Sequence, residues 1–240
     1  MDPDEIKYEL EALKAEKYHL LKLINHDIRS PFNRIFALMQ LIELDDAELS
    51  AQQKEFFDAI YLTVLSGLEM VQNLRDMRDI DAGLVKIEMA PTDLSEVLTK
   101  SIRTYSRQTE LKHISIELAA IEEPLTINGD PYYLQRCIEN ILSNAIKFTQ
   151  QNRQITISTA HAGTLTKIEI QDSGPGVKME EESYLYEKFK KLSSLATGGE
   201  GSLGLGLYNT RQFAKLMGGT VHLARNGKLG SCFILDFQSA

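Results

Sequence analysis

Apolar residues along the N-terminal segment recur at alternating spacings of four and three. Ile6, Leu10, Leu13, Lys17, Leu20 and Ile24 make one run, with Lys17 as a polar interruption, and Ile28, Phe32, Ile35, Met39 and Ile42 make a second. Such a seam predicts one long helix, from about Asp4 to Leu44, that pairs as a coiled coil. Between the runs one spacing lengthens, so the phase slips near Ile24 and Ile28. At about 100° per residue, His26 points away from both isoleucines and is expected to be exposed. Pro31 removes the donor that would bond the Asp27 carbonyl, and a bend is expected there. A polar connection, Asp45–Ser50, leads to a second helix over Ala51–Asp81. Its apolar face is Phe57, Ile60, Val64, Leu68, Val71 and Leu74. Two antiparallel helices cannot bury these stripes alone, whereas a dimer forming a four-helix bundle can.

Gly83 ends the second helix and Pro91 lies in the link beyond it. The pattern then changes to mixed helix and strand. Asp93-Leu94 opens a helix to about Glu110, and Asp130-Pro131, an N-cap followed by proline at the first helical position, opens another to about Phe148. Strands are expected at Ile114–Leu118, Leu125–Asn128, Gln154–Ala160, Leu165–Gln171, Thr220–Ala224 and Ser231–Phe237, with Asn226-Gly227 as the turn between the last two. A Gly-rich, poorly patterned region spans Asp172–Ser202, and a helix follows from about Gly204 to Met217. The fold class is α+β. Residues 1–86 form a helical hairpin with an N-terminal coiled coil, and residues 87–240 form an α/β sandwich with one mixed sheet and helices on one face.

Composition narrows the partners. The chain has 240 residues, 43% hydrophobic and 25% charged, enough to bury a core. A formal charge of −8 argues against nucleic acid or an anionic membrane surface, both of which need basic patches. The two cysteines, Cys137 and Cys232, sit in apolar runs and are expected to be buried free thiols. No apolar stretch approaches the roughly 20 residues of a membrane span. A cytoplasmic segment is expected, which leaves room for a sensor or membrane anchor upstream. His19, His113, His161 and His222 lack metal-site spacing.

Several motifs carry chemistry. In His26-Asp27-Ile28-Arg29-Ser30-Pro31, a neutral imidazole on a rigid helix can act as a nucleophile, with Asp27 orienting the ring or taking its proton. By itself such a pair is more often a solvated polar face. Asn140 and Asn144 lie one helical turn apart and share a face, offering amide oxygens to a hard cation such as Mg²⁺; two solvated asparagines would look the same. Asp172-Ser173-Gly174-Pro175-Gly176 follows a strand and lets backbone approach a base closely. Gly201-Ser202-Leu203-Gly204-Leu205-Gly206 opens a helix, whose N-terminus favours phosphate.

In this order and spacing the set resembles the sensor histidine kinases of two-component systems, with a dimerisation and phosphoacceptor domain followed by a GHKL-type ATP-binding domain. Residues 26–35 resemble the phosphoacceptor box, residues 139–148 the N box, and the two glycine motifs the Gly-rich boxes. Tyr186-Glu187-Lys188-Phe189 resembles the F box of a lid over the nucleotide. The resemblance implies ATP with Mg²⁺, a homodimer through the hairpin, and an aspartate on a response-regulator receiver domain as phosphate acceptor. It implies His26 and Asp27 as catalytic residues, Asn144 and Asn140 as metal ligands, and a nucleotide site including Lys147, Asp172, Gly174, Gly176, Phe189, Lys191, Gly204, Leu205, Gly206 and Ser231. Three positions depart from the family pattern: Ser30 where threonine or asparagine is usual, Leu203 where threonine or serine is frequent, and Lys191 where arginine is frequent. ATPases that share the nucleotide fold normally carry a water-activating glutamate where this chain has Asn140.

Overall fold

The computed structural model describes residues 3–44, 49–119, 125–227 and 230–240, and within the helices and strands some side chains, His26 among them, lie outside the described residues. The chain divides into two compact units, Met1–Val85 and Lys86–Ala240.

The first unit contains α1 (Pro3–Leu44) and α2 (Ala51–Asp81). α1 runs through Pro31 without interruption. Most of the proposed N-terminal seam (Ile6, Leu10, Lys17, Leu20 and Ile24) has side chains outside the described residues. Residues 45–48 of the expected connection also lie outside them. Ser50 then starts α2 with reciprocal bonds: its hydroxyl accepts the Gln53 N–H at 3.3 Å, and Gln53 Oε1 accepts the Ser50 N–H at 2.9 Å. This capping box satisfies two donors that a helix start leaves open. Met39, Phe57 and Val64 form a buried cluster with Phe32, Phe36, Tyr61 and Leu68 against it. Phe32 lies against Gly67, Phe36 against Tyr61, and the Arg78 guanidinium over Tyr18. Rising numbers in one helix meet falling numbers in the other, so the pair is antiparallel. Gly83, at φ +65°, ends α2: its N–H bonds Ile80 O at 3.0 Å and the Leu84 N–H bonds Asp79 O at 2.9 Å. Those two bonds close the last turn as a Schellman motif.

The second unit contains β1 (Ala90–Asp93), α3 (Leu94–Leu111), β2 (Ser115–Leu118), β3 (Thr126–Gly129), α4 (Pro131–Phe148), β4 (Gln154–Ala162), β5 (Leu165–Gln171), α5 (Met179–Glu182), α6 (Gly206–Leu216), β6 (Thr220–Gly227) and β7 (Gly230–Gln238). The main sheet has five strands in the order β2-β4-β5-β7-β6. It is mixed, because β2 pairs with β4 in parallel and every other pairing is antiparallel. Buried and half-buried residues alternate along β4 and β5, so one face packs inward. The core joins Leu134, Ile138, Leu142 and Phe213 from the helices to Ile155, Ile157, Ile168, Leu235 and Phe237 from the sheet. Cys137 and Cys232 are buried free thiols.

Three local expectations change. β3 leaves the main sheet and pairs with β1, a strand that Pro91 had masked as a link. Asn226 and Gly227 belong to β6 and pair with Ser231 and Gly230, so the turn falls later, at residues outside the described set. A register irregularity between Leu223 and Arg225 accompanies the longer strand, as a bulge shifts pairing by one residue. α6 starts at Gly206, because Gly204 has a left-handed φ of +67° that a right-handed helix excludes.

Candidate nucleotide site

Asp130 sets the start of α4. Its carboxylate accepts the N–H groups of Tyr132 at 3.0 Å and Tyr133 at 3.3 Å, and from the linker that of Glu88 at 2.9 Å. The apolar stripe of α4 then fixes its rotation on the sheet, which turns a polar row of Asn140, Asn144 and Lys147 to one side. Asn140 and Lys147 are buried and Asn144 is half-buried.

Two glycine segments meet this row. At the end of β5, Asp172 Oδ1 accepts the Gly174 N–H at 2.8 Å and the Ser231 N–H at 3.0 Å, while the Asp172 N–H bonds Ser231 O at 2.9 Å. Burial raises the Asp172 carboxyl above its ordinary range, against the opposing pull of the hydrogen bonds from Ser231 and Gly174. A Cβ on Gly174 would come within 2.9 Å of Phe148 O, so this turn sits directly on the end of α4. Gly176 follows at φ +78°. On the other side, Gly206 opens α6 against Asn140, whose Oδ1 would lie 3.7 Å from a Cβ built there. Leu205 is buried and its carbonyl takes the Asn209 N–H at 2.9 Å. Gly204 O accepts the Phe189 N–H at 3.0 Å, and a Cβ on Gly204 would meet Lys190 O at 2.2 Å. Phe189 itself has a φ of +62° and a half-exposed ring, and Lys191 is exposed.

The second unit thus brings together Asn140 with Gly206, Asp172 with Gly174 and Ser231, and Phe189 with Gly204. His26 and Asp27 belong to α1 of the other unit. The helical backbone includes both, Asp27 is exposed, and the His26 side chain lies outside the described residues.

The donor set suits a nucleotide and a hard cation. Asn140 Nδ2 is buried without a hydrogen-bond partner, a costly state for a polar group unless a ligand completes it. Carboxamide oxygens are oxygen ligands of the type Mg²⁺ takes. At Gly174 and Gly204 a Cβ would strike the Phe148 and Lys190 backbone, so glycine is needed there to bring the two glycine segments this close to their neighbours. Among the described residues no cluster of histidine, cysteine, aspartate or glutamate could hold a metal by itself, so a cation here would share its ligands with phosphates and water.

Sequence patterning did not single out Thr197, Glu200 or Lys112. The Thr197 N–H and hydroxyl bond Lys147 O at 2.9 Å and 3.0 Å, and Lys112 Nζ lies 2.8 Å from Glu200 Oε1. Neither contact has a local signal, because the partners are 50 and 88 residues apart.

Comparison with known proteins agrees with this geometry. The family model described as the His Kinase A (phospho-acceptor) domain matches residues 16–83. That of the histidine kinase-, DNA gyrase B- and HSP90-like ATPases matches residues 129–240. The chain is 26% identical over 226 residues to the circadian input-output histidine kinase CikA of Synechococcus elongatus, covering 93% of this chain and 30% of that protein. It is 29% identical over 239 residues to hybrid signal transduction histidine kinase B of Dictyostelium discoideum, covering 97% of this chain and 12% of that protein. It therefore spans less than a third of the length of these relatives. Among solved structures, full-length ShkA in complex with AMPPNP matches with a TM-score of 0.63 and 24% identity over 92% of this chain and 46% of that one. Acinetobacter baumannii AdeS matches with a TM-score of 0.60 and 17% identity over 89% of this chain and 98% of that one. With a phosphoacceptor domain followed by a GHKL-type ATP-binding domain, the chain belongs to the sensor histidine kinases of two-component signal transduction.

Proposed function

We propose that this chain uses ATP to phosphorylate His26 and passes the phosphoryl group to an aspartate on a response-regulator receiver domain. The main support is the convergence of the Asn140 face of α4, the Gly206 start of α6 and the Asp172–Ser231 pair around one cradle that contains a buried, unpartnered amide. In this cradle Asp172 accepts the exocyclic amine of adenine, with Gly174, Gly176 and Ser231 shaping the backbone around the base. Gly204, Leu205 and Gly206 set backbone N–H groups near the phosphates. Lys147 and Lys191 add positive charge, and the half-exposed ring of Phe189 belongs to the lid. Asn144 and Asn140 hold Mg²⁺, which when bound neutralises charge on the phosphate oxygens.

A neutral ring nitrogen of His26 attacks the γ-phosphorus. An N–P bond forms as the bond to the β-phosphate oxygen breaks, and ADP leaves. Asp27 orients the ring and takes its displaced proton. The exposed apolar residues Ile28, Ile35, Leu38, Ile42 and Ile60 on the hairpin favour pairing with a second copy, because one hairpin leaves them in water. No described helix is long and apolar enough to cross a membrane.

Transfer is tested by mixing the labelled phosphoprotein with purified receiver domains. The expected result is label leaving this chain and appearing on a receiver as an alkali-labile acyl phosphate. Label that stays on the chain with every receiver contradicts the transfer step.

A further inference from the structure

Lys112 and Glu200 form an ion pair outside the cradle described above. Lys112 is the C-cap of α3. Its Nζ lies 2.8 Å from Glu200 Oε1, with the two side chains only 6% and 4% exposed. The same Nζ donates to Ile146 O at 2.7 Å, one of the carbonyls that the end of α4 leaves unpaired. Glu200 Oε2 accepts the Gly198 N–H at 2.9 Å. Nearby, the Thr197 N–H and hydroxyl both bond Lys147 O, and the hydroxyl also reaches Thr149 O at 3.2 Å. Residues 197–200 are therefore fastened to the last turn of α4 at two points, and that turn carries Lys147. Further along, the loop is tied again where Gly204 O accepts the Phe189 N–H.

Apolar burial does not hold this loop. Leu195 is 87% exposed, and Gly198, Gly199 and Gly201 have no side chain to bury. Nor is a buried ion pair an efficient source of stability, since desolvating both charges offsets much of their attraction. Its advantage is direction: one ammonium in a fixed place donates to one carboxylate and to carbonyls at the end of α4.

We propose that Lys112 and Glu200 are positioning residues for the nucleotide. The pair seats the 197–204 segment on α4, so that the turn carrying Lys147 and the glycine start of α6 are already in one arrangement when ATP arrives. Such preorganisation lowers the cost of binding. The inference rests on the nucleotide reading of the cradle.

The test uses the full chain with Glu200→Gln, Lys112→Met and both together. Each single variant is expected to raise KM for Mg-ATP about ten-fold, with kcat for autophosphorylation within about two-fold, and the double variant to be no worse than the worse single. Without nucleotide, trypsin cleavage after Lys190 and Lys191 is expected to run at least about five-fold faster in each single variant than in the parent. Thr197→Val, which removes hydroxyl bonds but no charge, should shift both readouts in the same direction by less. Unchanged cleavage overturns the proposal, as does faster cleavage with unchanged KM, or full additivity in the double variant. The cleavage comparison needs no nucleotide. A parent that binds no ATP would refute the proposed function, while the seating of residues 197–204 by the Lys112–Glu200 pair would still be judged by cleavage.

Discussion

The Ser231 N–H donates to Asp172 Oδ1 at 3.0 Å, joining positions 59 residues apart. With the Gly174 N–H it fixes the orientation of the Asp172 carboxylate, whose Oδ1 takes both bonds. Asp172→Asn keeps a carbonyl oxygen for these two bonds but replaces the second oxygen with a donor. Nucleotide affinity should fall at least about ten-fold, as when a polar site loses its matched partner. Thermal stability should not fall, because the buried charge that disfavours the folded state is gone. Titration of a fluorescent nucleotide, paired with a melt, measures both.

The raised pKa of Asp172 sets the sign of a pH effect. A carboxyl with a folded value above its unfolded one binds its proton more tightly when folded. Its penalty on stability is fully present above the folded value and absent below the ordinary value of 3.8. Nucleotide binding has the opposite dependence, because the carboxylate is the acceptor. As pH falls, affinity should begin to drop at a higher pH than an unperturbed aspartate would produce. That acid limb should be missing in Asp172→Asn.

Gly204 and Gly83 both have left-handed backbones, at φ +67° and +65°, but differ in their surroundings. A Cβ on Gly204 would meet Lys190 O at 2.2 Å, whereas nothing lies within 4 Å of one on Gly83. Gly83→Ala should cost about 1 kcal/mol of stability and leave nucleotide affinity unchanged. Gly204→Ala must also displace the lid backbone, so its affinity loss should be large. Calorimetric binding curves for the two variants separate these effects.

In the helical hairpin, a Cβ on Gly67 would stand 2.5 Å from the Phe32 ring. Gly67→Ala should destabilise the hairpin by about 1–3 kcal/mol through overpacking. Phe32→Leu in the same chain should recover part of that loss, measured by chemical denaturation. Full additivity of the two destabilisations would contradict the contact.

Much of this architecture is legible in the chain because its signals are local. Asp130-Pro131 states its own helix start, and alternation along Leu165–Gln171 marks a strand that the structure reproduces with the same ends. Non-local pairings are not legible in this way. The strand at Ala90–Asp93 contains a proline and depends on a partner near position 128. Asn226-Gly227 has turn chemistry, yet the sheet extends through it. For the site, the glycines and Asp172 carry recognisable spacing. The seat of the lid does not, because Lys112 and Glu200 show no pattern until folding brings them together.

The central claim is that His26 accepts phosphate from ATP. The most direct measurement incubates the chain with γ-labelled ATP and Mg²⁺, then treats the product with acid and with base. The account predicts label that is lost in acid and kept in base, as a phosphorus–nitrogen bond requires, and no label in His26→Gln. Label retained by His26→Gln, or label stable to acid, would contradict it.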